Sequence, residues 1–228
     1  MRLDLSHETP EATAARIFED IATDYERWTR ILSLGQDRRW RESMVRGLAF
    51  DPGSRILDVA AGTGSISRAL EARAARVVAL DLSPEMLSRH PGRQRVIAVA
   101  DHLPFLDETF DGLAFGYLLR YVDDPVETLR ELARVLRPGS PVGMVEFGRP
   151  RGVAGILWRV YTRLVLPGAG LFAGAGWYRV CKFLGPSIER FHDEYPDLVS
   201  VFQEAGLIDV TVQRLSLGGG LVMWARKA

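Results

Sequence analysis

The residues with the clearest chemical potential lie in a short glycine-containing segment, residues 58–64 (DVAAGTG). The pattern Asp58-x-Ala60-x-Gly62-x-Gly64 requires residues without bulky side chains, because the backbone must turn sharply and let a ligand pack against it. Asp81 lies 17 residues past Gly64, at the end of the next apolar run. A carboxylate at that position can accept hydrogen bonds from both hydroxyls of a ribose. Together the turn and the acid predict an adenosyl ligand.

Two other interpretations of this segment need weighing. A tight strand-to-helix turn uses the same glycines for structural reasons alone, although it does not explain the placement of Asp81. NAD also binds through a turn and a ribose-binding acid, but its G-x-G-x-x-G fingerprint needs a third glycine, and Gly64 is followed by Ser65-Ile66-Ser67. The spacing therefore favours an adenosyl compound other than a dinucleotide.

The elements that must position these residues alternate between apolar runs and helical patterns. Strands are predicted at 56–60, 76–81, 96–100, 112–116 and 142–147, with terminal strands around 210–212 and 220–224. Helices are predicted at 65–72, from Ser83-Pro84 onward, at 126–136 and at 197–205. This alternation predicts an α/β fold with a Rossmann-like, doubly wound, mostly parallel sheet of seven strands, and a ligand over the carboxyl ends of the first strands.

The length of 228 residues suits a single domain, predicted over residues 1–228. Residues 1–50 form an N-terminal cap, in which a helix over 11–32 with Ala15, Phe18, Ile21, Ala22 and Tyr25 on one face acts as a lid. Residues 51–150 form the ligand-binding core. A glycine-punctuated helical insertion at 151–195 covers the substrate side, and residues 196–228 supply the last helix and strands.

Composition excludes several classes of function. Acidic and basic residues balance at 29 each, so no net field concentrates a nucleic acid. The single cysteine, Cys181, cannot form an internal disulfide, and no secretory signal pattern opens the chain, so we expect a reducing, cytoplasmic setting. No run approaches the roughly 20 apolar residues that span a bilayer, since Arg159 and Arg163 interrupt residues 153–172. The oligomeric state is left open, a homodimer being one option.

Several motifs resemble those of the class I methyltransferases, which use S-adenosylmethionine. They are residues 56–64 (ILDVAAGTG), 103–105 (LPF), 119–120 (LR), 134–139 (RVLRPG) and 146–147 (EF). Further motifs resemble the C-methyltransferases of menaquinone and ubiquinone synthesis, and the likeness covers nearly the whole chain. They are residues 32–38 (LSLGQDR) with Trp40, 119–122 (LRYV), 146–150 (EFGRP), 171–174 (LFAG), 187–191 (SIERF) and a glycine run before the last strand.

This resemblance implies a fold, a cofactor and a set of contacts. The cofactor is S-adenosylmethionine, leaving as S-adenosylhomocysteine, and no metal is required. The residues expected to contact it are Tyr25, Asp58, Ala60, Gly62, Gly64, Asp81, Leu82, Met86, Asp101, His102 and Phe115. For Met86 and Tyr25, ordinary packing is an alternative, and Trp40 is expected to anchor the cap. Asp101 is the acid expected to bind the adenine amino group. We favour a shortened loop before Leu103, so that Asp101 closes the third strand. The alternative is that Asp101 belongs to the loop and Val99 ends the strand.

Methylation of a quinol carbon needs the neighbouring hydroxyl to lose its proton, so a base or a stabilising cation is expected. Arg120, which follows the fourth strand, is the candidate cation; the alternative is a surface arginine paired with Asp123 or Asp124. His102 is a candidate proton acceptor, although a loop histidine is more often solvated. Glu146 either lines the site or caps a turn, and Cys181 is expected to be a small buried residue.

Residues 156–166 place apolar side chains on one helical face and Arg159 and Arg163 on another. Burial of the apolar face against the sheet is the favoured account. The alternative is an interfacial helix that gives the enzyme access to a polyprenyl quinol, with the protein peripheral at the inner face of the membrane.

The function predicted is C-methylation of a prenylated quinol, demethylmenaquinol to menaquinol. The family's Leu-Arg-Asn-Val reads Leu119-Arg120-Tyr121-Val122 here, and its closing histidine has no counterpart near Trp224. These departures favour, as an alternative, methylation of another small hydrophobic acceptor. A non-catalytic partner that binds the cofactor only structurally is a further alternative.

Overall fold

A computed structural model describes residues 20–228 of the chain. Ala15 and Phe18, which belong to the predicted lid helix, therefore lie outside the described residues. The later part of that segment forms a short 3-10 turn at Ala22–Asp24 followed by helix α1 at Tyr25–Leu32.

The seven strands form one sheet in the order β3-β2-β1-β4-β5-β7-β6, which confirms the predicted doubly wound, mostly parallel architecture. Strands β1 to β5 pair in parallel, whereas β7 lies antiparallel between β5 and β6. Their bounds are β1 Arg55–Val59, β2 Arg76–Asp81, β3 Arg95–Ile97, β4 Gly112–Gly116, β5 Pro141–Phe147, β6 Leu207–Leu215 and β7 Gly220–Lys227.

Helices cover both faces of the sheet, and some of their starts follow directly from capping residues. The Ser83 hydroxyl accepts a hydrogen bond from the Met86 N–H at 3.2 Å, with Pro84 at the first helical position, as the sequence predicted. The remaining helices are α2 Gln36–Gly47, α3 Ser65–Glu71, α4 Pro84–Ser88, α5 Pro125–Arg134, α6 Gly152–Val160, α7 Leu166–Ala173, α8 Ala175–Glu194 and α9 Leu198–Glu204, with a π-helical segment at Tyr161–Val165.

The central strands divide their side chains between two hydrophobic clusters because successive residues point to opposite faces. On β1, Ile56 packs with the α2 and α3 side of the sheet, whereas Leu57 and Val59 pack with the other side, against α5 and α9. Ala114 and Phe115 of β4 divide in the same way. The parallel pairing of β1 with β4, which sets Val59 opposite Phe115, brings their carboxyl ends to one edge.

Strand β3 is shorter than predicted and ends at Ile97 rather than near residue 100. As an edge strand it pairs with β2 alone, and that pairing stops where β2 ends, at Asp81 opposite Ile97. Asp101 lies in a turn beyond the strand. The favoured interpretation, a shortened loop with Asp101 closing the strand, is therefore wrong: Asp101 belongs to the loop. Val99 also lies beyond the strand end.

Residues 156–166 of the insertion leave most of their large apolar side chains exposed, so the predicted burial of that helical face against the sheet is wrong. The reason is that small or inward-facing residues make the contacts between these helices: Gly155, Thr162, Leu166 and Gly170 are the buried residues of α6 to α7. The exposed residues form what we call the apolar face: Val153, Ile156, Leu157, Val160, Leu164, Val165, Leu171 and Phe172.

Trp40 of α2 anchors the cap to the sheet, as predicted. Its indole is buried, its Nε1–H donates a hydrogen bond to the Ser216 hydroxyl at 2.9 Å, and its ring meets Phe147 edge-on with centroids 5.8 Å apart. The ring also lies directly over Gly220, at the start of β7, where a Cβ atom would overlap it. Gly220 thus leaves the space that the cap needs.

We expect Gly220→Ala to lower the free energy of unfolding by about 1–3 kcal/mol, because the added methyl group overpacks the site of Trp40. The matched control is Gly168→Ala in α7, where an added Cβ meets nothing within 4 Å. That control should leave stability unchanged or slightly raised. Urea unfolding of both variants provides the test, and equal stabilities would contradict the anchoring role of Trp40.

Candidate functional site

A cavity of about 120 Å³ opens beside the carboxyl ends of β1, β2 and β4. We call it the glycine-turn cavity, because the turn that follows β1 forms one wall. Its lining comprises Tyr25, Arg41, Val59, Ala60, Ala61, Gly62, Thr63, Ser65, Leu80, Asp81, Leu82, Ser83, Met86, Ala98, Val99, Ala100, Gly116, Tyr117, Leu118, Tyr121 and Val122.

The turn has the sharp backbone that its small residues predicted. Ala60, Gly62 and Gly64 have φ angles of 53°, 54° and 86°, all in the left-handed region that favours glycine. The Asp81 carboxylate joins this turn to the next one, since it accepts hydrogen bonds from the Gly62 N–H at 2.7 Å and the Ser83 N–H at 2.8 Å. Burial raises the pKa of Asp81, and the backbone donors oppose that shift. The carboxylate is therefore held rigidly at the cavity wall.

Six of the predicted contact residues line this cavity. They are Tyr25, Ala60, Gly62, Asp81, Leu82 and Met86. The Met86 side chain lies close to Gly62, where an added Cβ would sit 3.4 Å from the methionine methyl carbon. A flat ligand portion can therefore meet both the turn and a polarisable side chain.

The other predicted contacts do not line the cavity. Gly64 faces away, because a Cβ there would meet the His90 ring at 2.8 Å, and Phe115 is fully buried in the core. Asp101 Oδ1 lies 3.3 Å from Nδ1 of His102, whose side chain is 85% exposed. Val99, close to the strand end, lines the cavity instead of Asp101. That His102 accepts a proton stays a prediction. Its exposed side chain does not line the cavity, which argues against that role.

Asp58 lies beneath the turn rather than on the cavity wall. It is fully buried, and its Oδ2 accepts a hydrogen bond from the Ser67 hydroxyl at 2.6 Å. Ser67 in turn contacts the Nε2 atom of His90 at 2.9 Å. Burial raises the pKa of Asp58 to about 7, although the Ser67 hydrogen bond opposes the shift. Asp58 therefore supports the turn from below.

A second cavity, of about 270 Å³, adjoins the first and is walled mainly by aromatic and aliphatic side chains. We call it the aromatic cavity. Asp37 and Arg120 are the charged residues among its described lining. The rest of the lining is Tyr25, Thr29, Leu32, Ser33, Leu34, Gln36, Trp40, Tyr117, Tyr121, Phe147, Trp158, Tyr161, Leu166, Trp177, Val180, Cys181, Leu184 and Ser216.

Arg120 lies in the 3-10 turn Leu119–Tyr121 after β4, and its side chain is only 2% exposed. Its Nε–H donates to Glu146 Oε1 at 2.9 Å, and its Nη1 donates to the Ser187 hydroxyl at 3.0 Å. The alternative of a surface arginine paired with nearby loop acids is therefore wrong, because the side chain turns inward to Glu146. Burial alone would lower the pKa of Arg120, but the attraction of Glu146 raises it, so the guanidinium stays charged.

Glu146 ends up behind Arg120, a position that neither sequence alternative described. The residue is fully buried at the end of β5, and its Oε1 also accepts a hydrogen bond from the Phe147 N–H at 2.7 Å. Its Oε2 is buried without a hydrogen-bond partner in residues 20–228. Cys181 is buried as predicted, and burial raises the pKa of its thiol to about 11.

Arg41 and Asp37 of α2 form a second buried ion pair, which sequence reasoning missed. Arg41 Nε lies 3.0 Å from both Asp37 carboxylate oxygens, and Tyr117 donates its hydroxyl proton to Asp37 Oδ1 at 2.6 Å. The i,i+4 spacing of Asp37 and Arg41 was a usable signal, but it is also common on exposed helices. Tyr117 gave no signal in the sequence, because its importance comes from its place after β4.

The chain matches the ubiE/COQ5 methyltransferase family over residues 6–227. The chain belongs to that family. As a methyltransferase of this family it uses S-adenosylmethionine, as the sequence predicted. The glycine-turn cavity lies at the carboxyl ends of the first strands, the edge at which open α/β sheets bind ligands.

Relatives of this methyltransferase extend over nearly its full length. A demethylmenaquinone methyltransferase of Clavibacter sepedonicus is 36% identical, with 96% of this chain and 91% of the relative covered. One of Renibacterium salmoninarum is 35% identical, with 93% and 90% covered. Among solved structures, a possible histamine N-methyltransferase of Thermotoga maritima shares the fold, with a TM-score of 0.67, 20% identity, and 94% and 99% of the two chains covered.

The burial of Asp58 in this methyltransferase predicts a pH-dependent stability. Because its folded-state pKa is raised, the folded protein holds a proton that the unfolded chain has already lost between about pH 4 and pH 7. Asp58 should therefore cost stability as the pH rises through that window, on the order of 1 kcal/mol per pH unit.

Asp58→Asn removes this titration while keeping a polar side chain of the same shape. Urea unfolding of both proteins at several pH values from 4 to 8 should show the variant gaining relative to the wild type as the pH rises. Because Ser67 joins His90 to Asp58, the same comparison in a His90→Gln background separates the two titrations. Parallel stability profiles would contradict a raised pKa for Asp58.

Proposed function

We propose that this methyltransferase transfers the sulfonium methyl group of S-adenosylmethionine to a ring carbon of a prenylated quinol, converting demethylmenaquinol to menaquinol. The observation that carries the proposal is a buried, charged Arg120 in the wall of an aromatic cavity next to the glycine-turn cavity. The family and the names of the full-length relatives support the same acceptor.

The residues around the glycine-turn cavity fit an adenosyl group. The Asp81 carboxylate accepts hydrogen bonds from two backbone N–H groups, and its oxygens have further lone pairs that can accept from the ribose hydroxyls. Met86, Val99 and Leu82 supply apolar and polarisable contacts for the adenine. Bound there, S-adenosylmethionine supplies an already activated methyl group, so the protein has mainly to orient the acceptor and exclude water.

In the proposed transfer the bond between sulfur and the methyl carbon would break, with its electron pair left on sulfur, as a bond from that carbon to a ring carbon forms. The ring carbon would then lose its proton to water. A quinol carbon is nucleophilic enough when the neighbouring hydroxyl has become an oxyanion. Arg120 would stabilise that oxyanion as charge develops. Glu146 and Ser187 hold its Nε and Nη1 atoms, so the guanidinium is fixed before the acceptor arrives.

A second candidate acceptor is another small hydrophobic ring compound. Tyr121, which stands where the family has asparagine, lines both cavities and therefore meets the reacting part of the acceptor. A bulkier residue at that position narrows the space for a ring system. Turnover with naphthoquinol, benzoquinol and simple phenol acceptors separates this candidate from the first.

Arg120→Met should lower kcat by about 10²- to 10³-fold while the affinity for S-adenosylmethionine stays within a few fold, because the interaction strengthens only as the ring oxygen gains charge. Arg120→Lys should restore part of the rate, since an ammonium supplies charge without the planar fork. Single-turnover methyl transfer at saturating cofactor measures both effects.

Arg120→Met also leaves Glu146 buried without its partner, so protein stability must be measured alongside the rate. Glu146→Gln is the matched control for loss of the ion pair, because it removes the buried countercharge but keeps the arginine side chain. Arg120→Met with a rate within about threefold of wild type would end the proposed catalytic role.

We further propose that the apolar face rests on the membrane that contains the quinol. No helix in residues 20–228 is long and apolar enough to span a bilayer. Eight large apolar side chains of α6, the π-helical segment and α7 are nevertheless exposed, up to 89% for Phe172. Exposed apolar groups this dense mark an interaction surface.

The charge around this face fits an anionic lipid surface. Residues 151–188 contain five basic residues, Arg151, Arg159, Arg163, Arg179 and Lys182, and no acidic residue. Two of the five are paired with acidic residues outside this range, Arg163 with Glu189 and Arg179 with Asp20. Basic side chains next to exposed apolar ones suit the headgroup region of a bilayer. The aromatic cavity reaches the same side, because Trp158 and Tyr161 line it from the helices that carry the apolar face. A prenyl tail could thus remain in lipid while the ring enters the cavity.

Leu164→Ser with Phe172→Ser should lower partitioning onto vesicles of anionic phospholipid at least tenfold, because two exposed apolar side chains no longer enter the acyl region. Both side chains are exposed, so folding and turnover of a short-tailed quinol should be unchanged. The control is Leu106→Ser, at an equally exposed leucine in the loop after β3. Vesicle sedimentation is the measurement, and equal binding by all three proteins would contradict a membrane contact through this face.

A further inference from the structure

The exposure of its lining residues marks a mouth of the aromatic cavity. Among the described lining residues, Leu34 and Ser216 are exposed, whereas the others are buried or half-buried. Leu34 lies in the turn between α1 and α2, residues 33–35, which we call the cap turn. Ser216 begins the turn between β6 and β7, Ser216–Gly218, which we call the strand turn. The mouth of the cavity therefore lies between these two turns.

The Ser216 hydroxyl group fixes the two turns to each other. It donates a hydrogen bond to Gln36 Oε1 at 2.8 Å and accepts one from the Trp40 indole at 2.9 Å. Gln36 follows the cap turn directly as the first residue of α2, and Trp40 lies one helical turn later. The strand turn is therefore held at a set distance from the cap turn across the mouth.

The helical insertion forms a third side of the mouth. Tyr161 donates its hydroxyl proton to the Leu32 carbonyl oxygen, immediately before the cap turn. The Trp158 ring of α6 lies against Gly219, which directly follows the strand turn, and a Cβ atom there would sit 3.1 Å from that ring. Because α6 also carries part of the apolar face, the mouth adjoins that face.

Each turn carries an exposed leucine that neither packing nor backbone preference explains. Leu34 is 74% exposed and Leu217, next to Ser216, is 85% exposed, so the protein interior holds neither side chain. Their φ angles are 52° and 58°, in the left-handed region where a bulky side chain is an outlier. Glycine or asparagine suits such a backbone better. Outliers of this kind are found most often at functional sites.

The volume of the aromatic cavity limits how much of the acceptor it encloses. The cavity measures about 270 Å³, whereas pockets that enclose whole drug-sized ligands have roughly 300–1,000 Å³. A quinol ring beside Arg120 takes up most of that space, so a tail of several isoprene units has to leave through a mouth. Apolar side chains at the mouth lower the free energy of the tail by removing it from water, and Leu34 and Leu217 are such side chains.

We propose that the polyprenyl tail of the acceptor leaves the aromatic cavity between the cap turn and the strand turn, and that Leu34 and Leu217 bind its first isoprene units. This path for the tail rests on the proposed function, methylation of a prenylated quinol. The two leucines favour acceptors that carry a tail over those that have only the ring. The rest of the tail then reaches the lipid that the adjoining apolar face contacts.

The test compares kcat/KM for two demethylmenaquinol analogues, one without a tail and one with a tail of two isoprene units, without lipid and below the concentration at which micelles form. Leu34→Asn with Leu217→Asn should lower the ratio of tailed to tail-less kcat/KM by about 5- to 20-fold, because two apolar side chains no longer cover the tail. Asparagine tolerates the left-handed backbone, so the variant should fold. The matched control is Leu106→Asn, at an 84% exposed leucine in the loop after β3, which should keep the wild-type ratio.

A wild-type ratio in the folded double variant, or an equal loss in Leu106→Asn, would overturn this path for the tail. So would the same loss in Leu164→Ser with Phe172→Ser, because the tail would then lie along the apolar face rather than between the two turns. Failure of the proposed function gives a different result: the wild-type protein would transfer no methyl group to the tail-less quinol. That result would refute the path for the tail together with the proposed function.

Discussion

The site depends on one buried ion pair, between Arg120 and Glu146. The Arg120 guanidinium is only 2% exposed, and the Glu146 carboxylate, 2.9 Å away, compensates its buried charge. The pair joins the ends of β4 and β5, and Ser187 extends it to α8 of the insertion. The same contact therefore joins the insertion to the sheet and holds a positively charged group in the wall of the aromatic cavity. Asp37 and Arg41 repeat the arrangement between the cap and Tyr117.

The parallel sheet explains why the two cavities adjoin. The carboxyl ends of β1, β2 and β4 meet at one edge, so the glycine turn, Asp81 and the Tyr117 to Tyr121 segment converge there although they are far apart in sequence. The cap and the insertion then complete the acceptor side with aromatic residues from α1, α2, α6 and α8. Exposed apolar side chains on the insertion extend that acceptor side outward, which is consistent with an acceptor that enters from lipid.

The sequence predicted most of the central sheet, because buried parallel strands are continuous apolar runs followed by turn residues. It also predicted the turn and Asp81, whose spacing depends on local geometry alone. It did not predict the partner of Arg120, since Glu146 is 26 positions away and only the pairing of β4 with β5 brings them together. The sequence wrongly predicts that the apolar face is buried, because periodicity shows that a helix is amphipathic but not which of its faces packs against the protein. In the structure, small residues such as Thr162 and Gly170 make the contacts between these helices, and the large apolar side chains point outward. The predicted position of Asp101 at the end of β3 is wrong because the end of an edge strand is set by the strand that it pairs with, here β2.

The central claim is that the aromatic cavity presents a reduced quinol ring to the methyl donor. Its most direct test is incubation of the purified protein with S-adenosylmethionine labelled in the methyl group and a short-tailed demethylmenaquinol, followed by mass spectrometry of the product. We expect the label on a ring carbon of the quinol, and no transfer to the same compound kept in its oxidised quinone form, which has no hydroxyl to become an oxyanion. Label on a quinol oxygen, or equal labelling of the oxidised compound, would contradict the account.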